Sequence, residues 1–163
     1  MNMKYILISI MLGLPFSLKA VEPSIIELSK LSFAEVLHFI GSCEMDYDTA
    51  AVVDLPGSKT CMFSASGTVG KYRIFSNPNS TVNIRVNQKL NTGDGVRFVP
   101  KGRITTSDIS FEISSNFNYQ VNSGTSGVVD LFIAGRLYLE SDLNPNTTYE
   151  LDIPDGLDWS VSP

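Results

Sequence analysis

The sequence predicts an all-β fold, an antiparallel sandwich or barrel tied by one disulfide. Three observations carry this. Apolar and polar residues alternate at period two through most of the chain. Clusters of Gly, Pro, Asn and Asp interrupt those runs about every 8 to 12 residues. The 163 residues contain two cysteines, in a chain that opens like an exported protein. Successive side chains of a strand point to opposite faces, so a half-buried strand writes an apolar–polar alternation. Gly supplies positive φ, Pro fixes φ, and Asn or Asp caps its own turn, so their clusters mark where strands reverse.

The chain begins MNMKYILISIMLGLPFSLKA. Lys4 precedes an apolar run from Tyr5 to Leu14, then Pro15 and the small Ala20. This is the layout of a secretory signal peptide. The run is shorter than the roughly 20 apolar residues a bilayer span needs. Residues 1–20 are therefore expected to be a signal peptide and 21–163 a single domain. Cleavage removes Lys4 and Lys19 and no acid, taking the formal net charge from −5 to −7. Nucleic-acid binding needs clustered Lys and Arg, so this acidic chain is not expected to bind it. No later run is long and apolar enough to span a membrane. The expected location is exported: periplasm, cell surface or extracellular.

Export sets the chemistry of Cys43 and Cys61, because thiols pair in an oxidising compartment. Two cysteines allow one intramolecular bond. Zinc wants about four N or S ligands, and the chain offers two Cys and the single His38. A redox pair has two intervening residues; this pair has seventeen. The expected bond closes a loop with the turn "DLPGS" near its far end and staples neighbouring strands. Loop closure of this length stabilises by about 3 kcal/mol.

The segment "SFAEVLHFIG" puts Phe33, Val36, Leu37 and Ile40 at helical spacing, with Ser32 and Glu35 as a capping box and Gly41 as a stop. It reads as a short helix or a strand, with its apolar face in the core either way. Strands follow. "STVNIRVN" places Val82, Ile84 and Val86 on one face; "SFEIS" does so with Phe111 and Ile113; "NFNYQVN" with Phe117, Tyr119 and Val121. "GVVDLFIAGRLYLES" is apolar on both faces and reads as one or two central strands broken near Gly135. "TTYELDI" alternates Tyr149, Leu151 and Ile153. Ile84, Phe111, Leu131 and Leu151 are the expected core.

No residues assemble into recognisable catalytic chemistry. His38 lies in an apolar segment, and no GxSxG elbow accompanies it. Glu44, Asp46 and Asp48 share one side of a possible strand, where three carboxylates can bind calcium or simply face solvent. Asp152, Asp155 and Asp158 surround a Gly turn but lack the terminal Glu of an EF-hand loop. "SASGTVGKY" lacks the Lys-Ser/Thr ending of a phosphate loop. Asn79 and Asn146 head glycosylation triplets. Trp159 can plug a sandwich end or contact a ligand. No catalytic residue, metal or cofactor is expected.

Some residues carry a resemblance: Leu31 and Phe33; Gly70, Tyr72 and Ile74; Gly135 and Leu137; Thr148 and Tyr149. In this order the chain resembles a family of small exported bacterial β-domains of unknown function, similar to pilin and fimbrial subunits. That family has Gly where Ala34 stands here, and this chain continues past Ile153 into "PDGLDWSVSP". The resemblance implies an immunoglobulin-like or pilin-like antiparallel β-sandwich. It also implies an exported structural or adhesive protein of a fimbria-like kind that is not an enzyme. The expected partner is another protein or a second copy, met through a strand edge, with a periplasmic chaperone as a further partner. "SIIELSKLSF" is the natural donor strand. The alternative is an extracytoplasmic carbohydrate-binding module, with Tyr47, Tyr138 and Trp159 clustered on one surface to stack on sugars. A secreted hydrolase would need Asp46 and Asp48 to converge in a cleft.

Overall fold

A computed structural model describes residues 22–33, 39–61, 66–91, 95–143, 153 and 156–162. The strands are β1 (Ser24–Ser29), β2 (Gly41–Met45), β3 (Val52–Asp54), β4 (Gly70–Phe75), β5 (Thr81–Val86), β6 (Lys89–Asn91), β7 (Val96–Thr105), β8 (Ser110–Ser114), β9 (Asn118–Asn122), β10 (Val128–Leu139) and β11 (Leu157–Ser162). No α-helix occurs among the described residues. The strands form an eight-stranded and a three-stranded antiparallel sheet, and one hydrophobic core draws on both. The fold is an all-β sandwich, one of the two architectures that the alternation predicts, and it carries the one disulfide expected of the two cysteines.

The large sheet is built around two long strands. β10 pairs with β7 over ten residues, from Asp130 opposite Thr105 to Leu139 opposite Val96. On its other flank β10 pairs first with β4 and then with β2, which lie end to end. β7 is flanked the same way by β8 and then β6. β1 extends the β4 half, and β3 the β2 half. Each 10- or 12-residue strand thus serves two short partners.

Side chains explain how those partners change over. Gly135 has φ +136°, and it stands where β10 passes from β4 to β2. β10 is one continuous strand there, so the break expected at this glycine is a local twist. A Cβ on Gly135 would lie 2.3 Å from the Val99 carbonyl oxygen. Across the pair, a Cβ on Gly102 would lie 1.9 Å from the Phe132 carbonyl oxygen. Pro100 sits opposite Gly135, where β6 has ended at Phe98 and β8 has not begun before Lys101. Proline is tolerated at such a gap in the ladder.

The small sheet runs β11–β5–β9. Val82, Ile84 and Val86 of β5 are buried, as the alternation predicts. β11 is the strand formed by the tail past Ile153; its Trp159 pairs with Ile84 and packs half-buried against the core. At one end of the sandwich, buried Ser80 and Ser123 satisfy each other: the Ser80 N–H donates to Ser123 Oγ at 3.1 Å, and Ser123 Oγ donates to the Asn77 carbonyl at 2.9 Å.

Several expectations shift. Leu131 and Ile84 are core residues, whereas Phe111 is only half-buried. Phe117 is exposed, because it sits in the β8–β9 turn just before β9 begins. Ile40 is 63% exposed while Phe33 is buried, so the expected apolar face of 33–40 is not wholly in the core. Residues 34–38, with His38, lie outside the described residues, as do residues 1–21 and 144–152, with Thr148, Tyr149 and Leu151.

The staple is built locally. Cys43 pairs with Asp54 across β2 and β3. Asp54 Oδ1 then accepts from the N–H groups of Thr60 (2.9 Å) and Cys61 (2.8 Å). This folds residues 55–60 back and sets Cys61 opposite Cys43, Cα to Cα 6.1 Å, in the disulfide. Both cysteines are buried. Replacing either with alanine is expected to lower stability by about 2–5 kcal/mol. Gly135→Ala is expected to cost about 3 kcal/mol, the upper end for an overpacked core. Urea denaturation checks both; a Gly135→Ala change within about 0.5 kcal/mol of wild type, the range of neutral surface substitutions, would contradict the close approach of β7 and β10.

Candidate functional site

The outward face of the large sheet carries the charged chemistry of the molecule. Arg73 of β4 forks onto Asp130 of β10 at 2.6 and 3.0 Å. Glu44 of β2 receives Lys101 of β7 and Arg136 of β10, each at 2.6 Å. Arg97 of β7 reaches Glu140 at 2.6 Å and lies 3.9 Å from the Tyr138 ring centroid. These pairs follow from register, since cross-strand neighbours on one face stand close enough for side chains to meet. Burial pushes the Glu44 carboxyl up, but its hydrogen bonds and charge contacts with Lys101 and Arg136 outweigh this. Its pKa is held below the ordinary value.

One cross-strand row differs. Ser29, Lys71, Phe132, Arg103 and Glu112 stand side by side on β1, β4, β10, β7 and β8. Above this row the turn after β2 rises as a wall. Asp46 builds it: Asp46 Oδ1 accepts from the N–H groups of Asp48 (3.0 Å) and Thr49 (2.8 Å) and from Thr49 Oγ1 (2.9 Å). Those bonds, the Thr49 N–H first, hold the Asp46 pKa down. Asp48 accepts from Arg103 at 2.5 Å, and the Tyr47 hydroxyl donates to Glu112. That bond pushes the phenol pKa up. Arg103 also stands 5.1 Å from the Tyr47 ring centroid.

Wall and row enclose an open groove of about 470 Å³. Phe132, Lys71 and Arg103 form its floor, Tyr47, Asp48 and Thr49 one side, and Leu28 the rim on β1. The Lys71 ammonium stands 5.8 Å from the Phe132 centroid. No carboxylate pairs with Lys71 among the described residues.

The sequence-predicted residues are placed as follows. Cys43 and Cys61 form the disulfide. Glu44, Asp46 and Asp48 do not converge: β2 ends at Met45, Glu44 is engaged by two cations, Asp46 is a turn cap and Asp48 pairs with Arg103. No group of metal-ligating side chains occurs among the described residues. Tyr47, Tyr138 and Trp159 do not share a surface: the tyrosines lie on the large sheet under arginines, and Trp159 belongs to the small sheet. Phe132, Lys71 and Arg103 were not singled out by sequence. The available signal was Phe132, an apolar residue on the same strand phase as Asp130, Arg136 and Tyr138. No described helix is long and apolar enough to cross a membrane.

Comparison with protein-family models, curated proteins and solved structures finds no match to this chain. The site is therefore read from its own chemistry.

A carboxyl held below its ordinary pKa stabilises the fold above that pKa, and the contribution is lost as pH falls through the depressed value. For Glu44 the window lies below its ordinary 4.5, and for Asp46 below 3.8. Stability is expected to fall as pH drops through this range, and less steeply in Glu44→Gln. Urea midpoints measured at about pH 6 and about pH 3 test this; parallel loss in the variant would remove Glu44 from the account.

Proposed function

We propose that the protein is an exported structural or adhesive subunit, similar to pilin and fimbrial subunits, that works through surface and strand-edge contacts without catalysis. The observation that supports this is β1. Among the described residues it pairs with β4 alone. Its pairing carries a bulge between Glu27 and Ser29. Ile25 packs against the core, whereas Ile26 and Leu28 are 44% and 49% exposed. An edge strand presents unpaired N–H and C=O groups to another chain. A short strand with little buried surface is also the one most cheaply exchanged for its copy in a neighbour. A second copy supplying or extending β1 is the proposed contact, and a periplasmic chaperone covering the edge before assembly is the proposed second partner.

Glu27→Pro is expected to abolish multimers, because proline removes a ladder donor from β1. Ile26→Lys is a second variant, at a side chain the fold leaves exposed. Light scattering and thermal unfolding on the same samples distinguish loss of assembly from loss of fold. A folded Glu27→Pro protein that still assembles would refute exchange through β1. So would a wild type that stays monomeric at every concentration.

A further inference from the structure

We infer that the groove over Phe132 is a binding site for an acidic sugar, a pyranose ring carrying a carboxylate. This goes beyond the edge-contact reading and stands without it, since the groove is formed by a single chain.

The floor sets the first requirement. Phe132 offers an apolar ring on the face that also carries the ion pairs of Arg73 and Arg136, with Leu28 beside it on the rim. Neighbouring strands stand about 4.8 Å apart. The backbones of Lys71 and Arg103, on either side of Phe132, are therefore about 10 Å apart, with room for one sugar ring between them. The C–H face of a pyranose fits such a floor. A flat aromatic surface with a few placed polar groups is the usual composition of a small-molecule site.

Charge sets the second. The lining holds two cations, Lys71 and Arg103, against one carboxylate, Asp48. Asp46 and Glu112 flank Arg103 just outside the lining, so the charge left to a ligand is that of Lys71. Arg103 is already satisfied by Asp48. Lys71 has its cation–π contact with Phe132 and no carboxylate partner among the described residues. An ammonium at that place is a point charge for an anion.

Hydrogen bonding sets the third and selects among anions. Asp48 keeps acceptor capacity beyond Arg103, and Thr68 also lines the groove, whereas the Thr49 hydroxyl is already engaged by Asp46 and the Ala51 N–H. Asp48 wants O–H partners. The floor is a sheet face whose strands are paired on both sides, so the free backbone edge lies at β1 on the rim and not beneath a bound ligand. A ligand with a carboxylate, hydroxyl donors and an apolar ring face meets all three requirements. An acidic peptide meets only the charge.

Titration calorimetry with folded wild-type protein tests the assignment. The probes are trigalacturonate, sialyllactose, neutral galactotriose and a triglutamate peptide. Binding of at least one acidic sugar is expected, and about ten-fold weaker binding of galactotriose and triglutamate. Phe132→Ala should weaken the acidic sugar about ten-fold or more. Lys71→Gln should do the same and erase the preference over galactotriose. Arg97→Gln, at the far end of the face beside Tyr138, should change nothing. All three positions lie on the solvent side of the sheet, and thermal unfolding confirms that each variant is folded. Binding of neither acidic sugar would overturn the proposal. So would equal binding of galactotriose, tighter binding of triglutamate, or affinity unchanged in Lys71→Gln and Phe132→Ala.

Discussion

The ten-residue pairing of β7 with β10 is the constraint from which the rest of the sheet takes its position. β4, β2, β8 and β6 are each aligned by one of these two strands. A one-residue slip in the pairing would exchange inward for outward side chains along the whole strand. That would bury Arg97, Lys101 and Arg103 and expose Phe98 and Ile104. The cost of burying unpaired charge is far larger than any single contact on the surface. Register is therefore set twice over, by the core on one face and by charge on the other. Gly102 and Gly135 permit the close approach, since any side chain there meets backbone oxygen.

How far the sequence was legible follows from which forces act locally. "STVNIRVN" became β5 with its phase intact, because a strand with one face buried records that face at every second residue. The disulfide was legible for a similar reason, as two cysteines leave one pairing. β10 was legible as apolar but not as continuous. Gly135 reads as a breaker in sequence, yet what it accommodates is the change of neighbour from β4 to β2, which only the tertiary pairing defines. Phe111 and Phe117 show the same gap on the packing side: both fit the alternation, but one is only half covered and the other falls in a turn. Of the groove, only Tyr47 and Asp48 were legible as candidates, and its floor was not. Its row joins residues 29, 71, 132, 103 and 112, and no local pattern orders five separate strands.

The ion pairs on the outer face contribute less to stability than their number suggests. Their side chains are 23% to 49% exposed, and pairs of that exposure are typically worth under about 1 kcal/mol. Their effect is on specificity. A sheet face crowded with satisfied charges does not stack on another sheet, so it directs association toward the edges. Among the described residues Lys71 stands out in this setting, because its neighbours along the face, Arg73, Lys101, Arg103 and Arg136, all have carboxylates.

Leu28 links the two functional readings. It belongs to β1, the strand proposed to exchange between copies, and it also forms the rim of the groove. Its side chain reaches the groove beside the bulge between Glu27 and Ser29. A β1 donated by a neighbouring copy in the same register would bring an identical Leu28 to the same rim. Assembly would then conserve the groove while making one wall of it intermolecular. Any ligand contact with Leu28 would in that case favour the assembled form, and by thermodynamic reciprocity assembly would tighten the ligand by the same factor. The coupling is bounded by what one half-exposed leucine can contribute, about 1 kcal/mol from partial burial. Edge exchange and groove binding are therefore compatible, each able to operate alone, with Leu28 as the residue through which each senses the other.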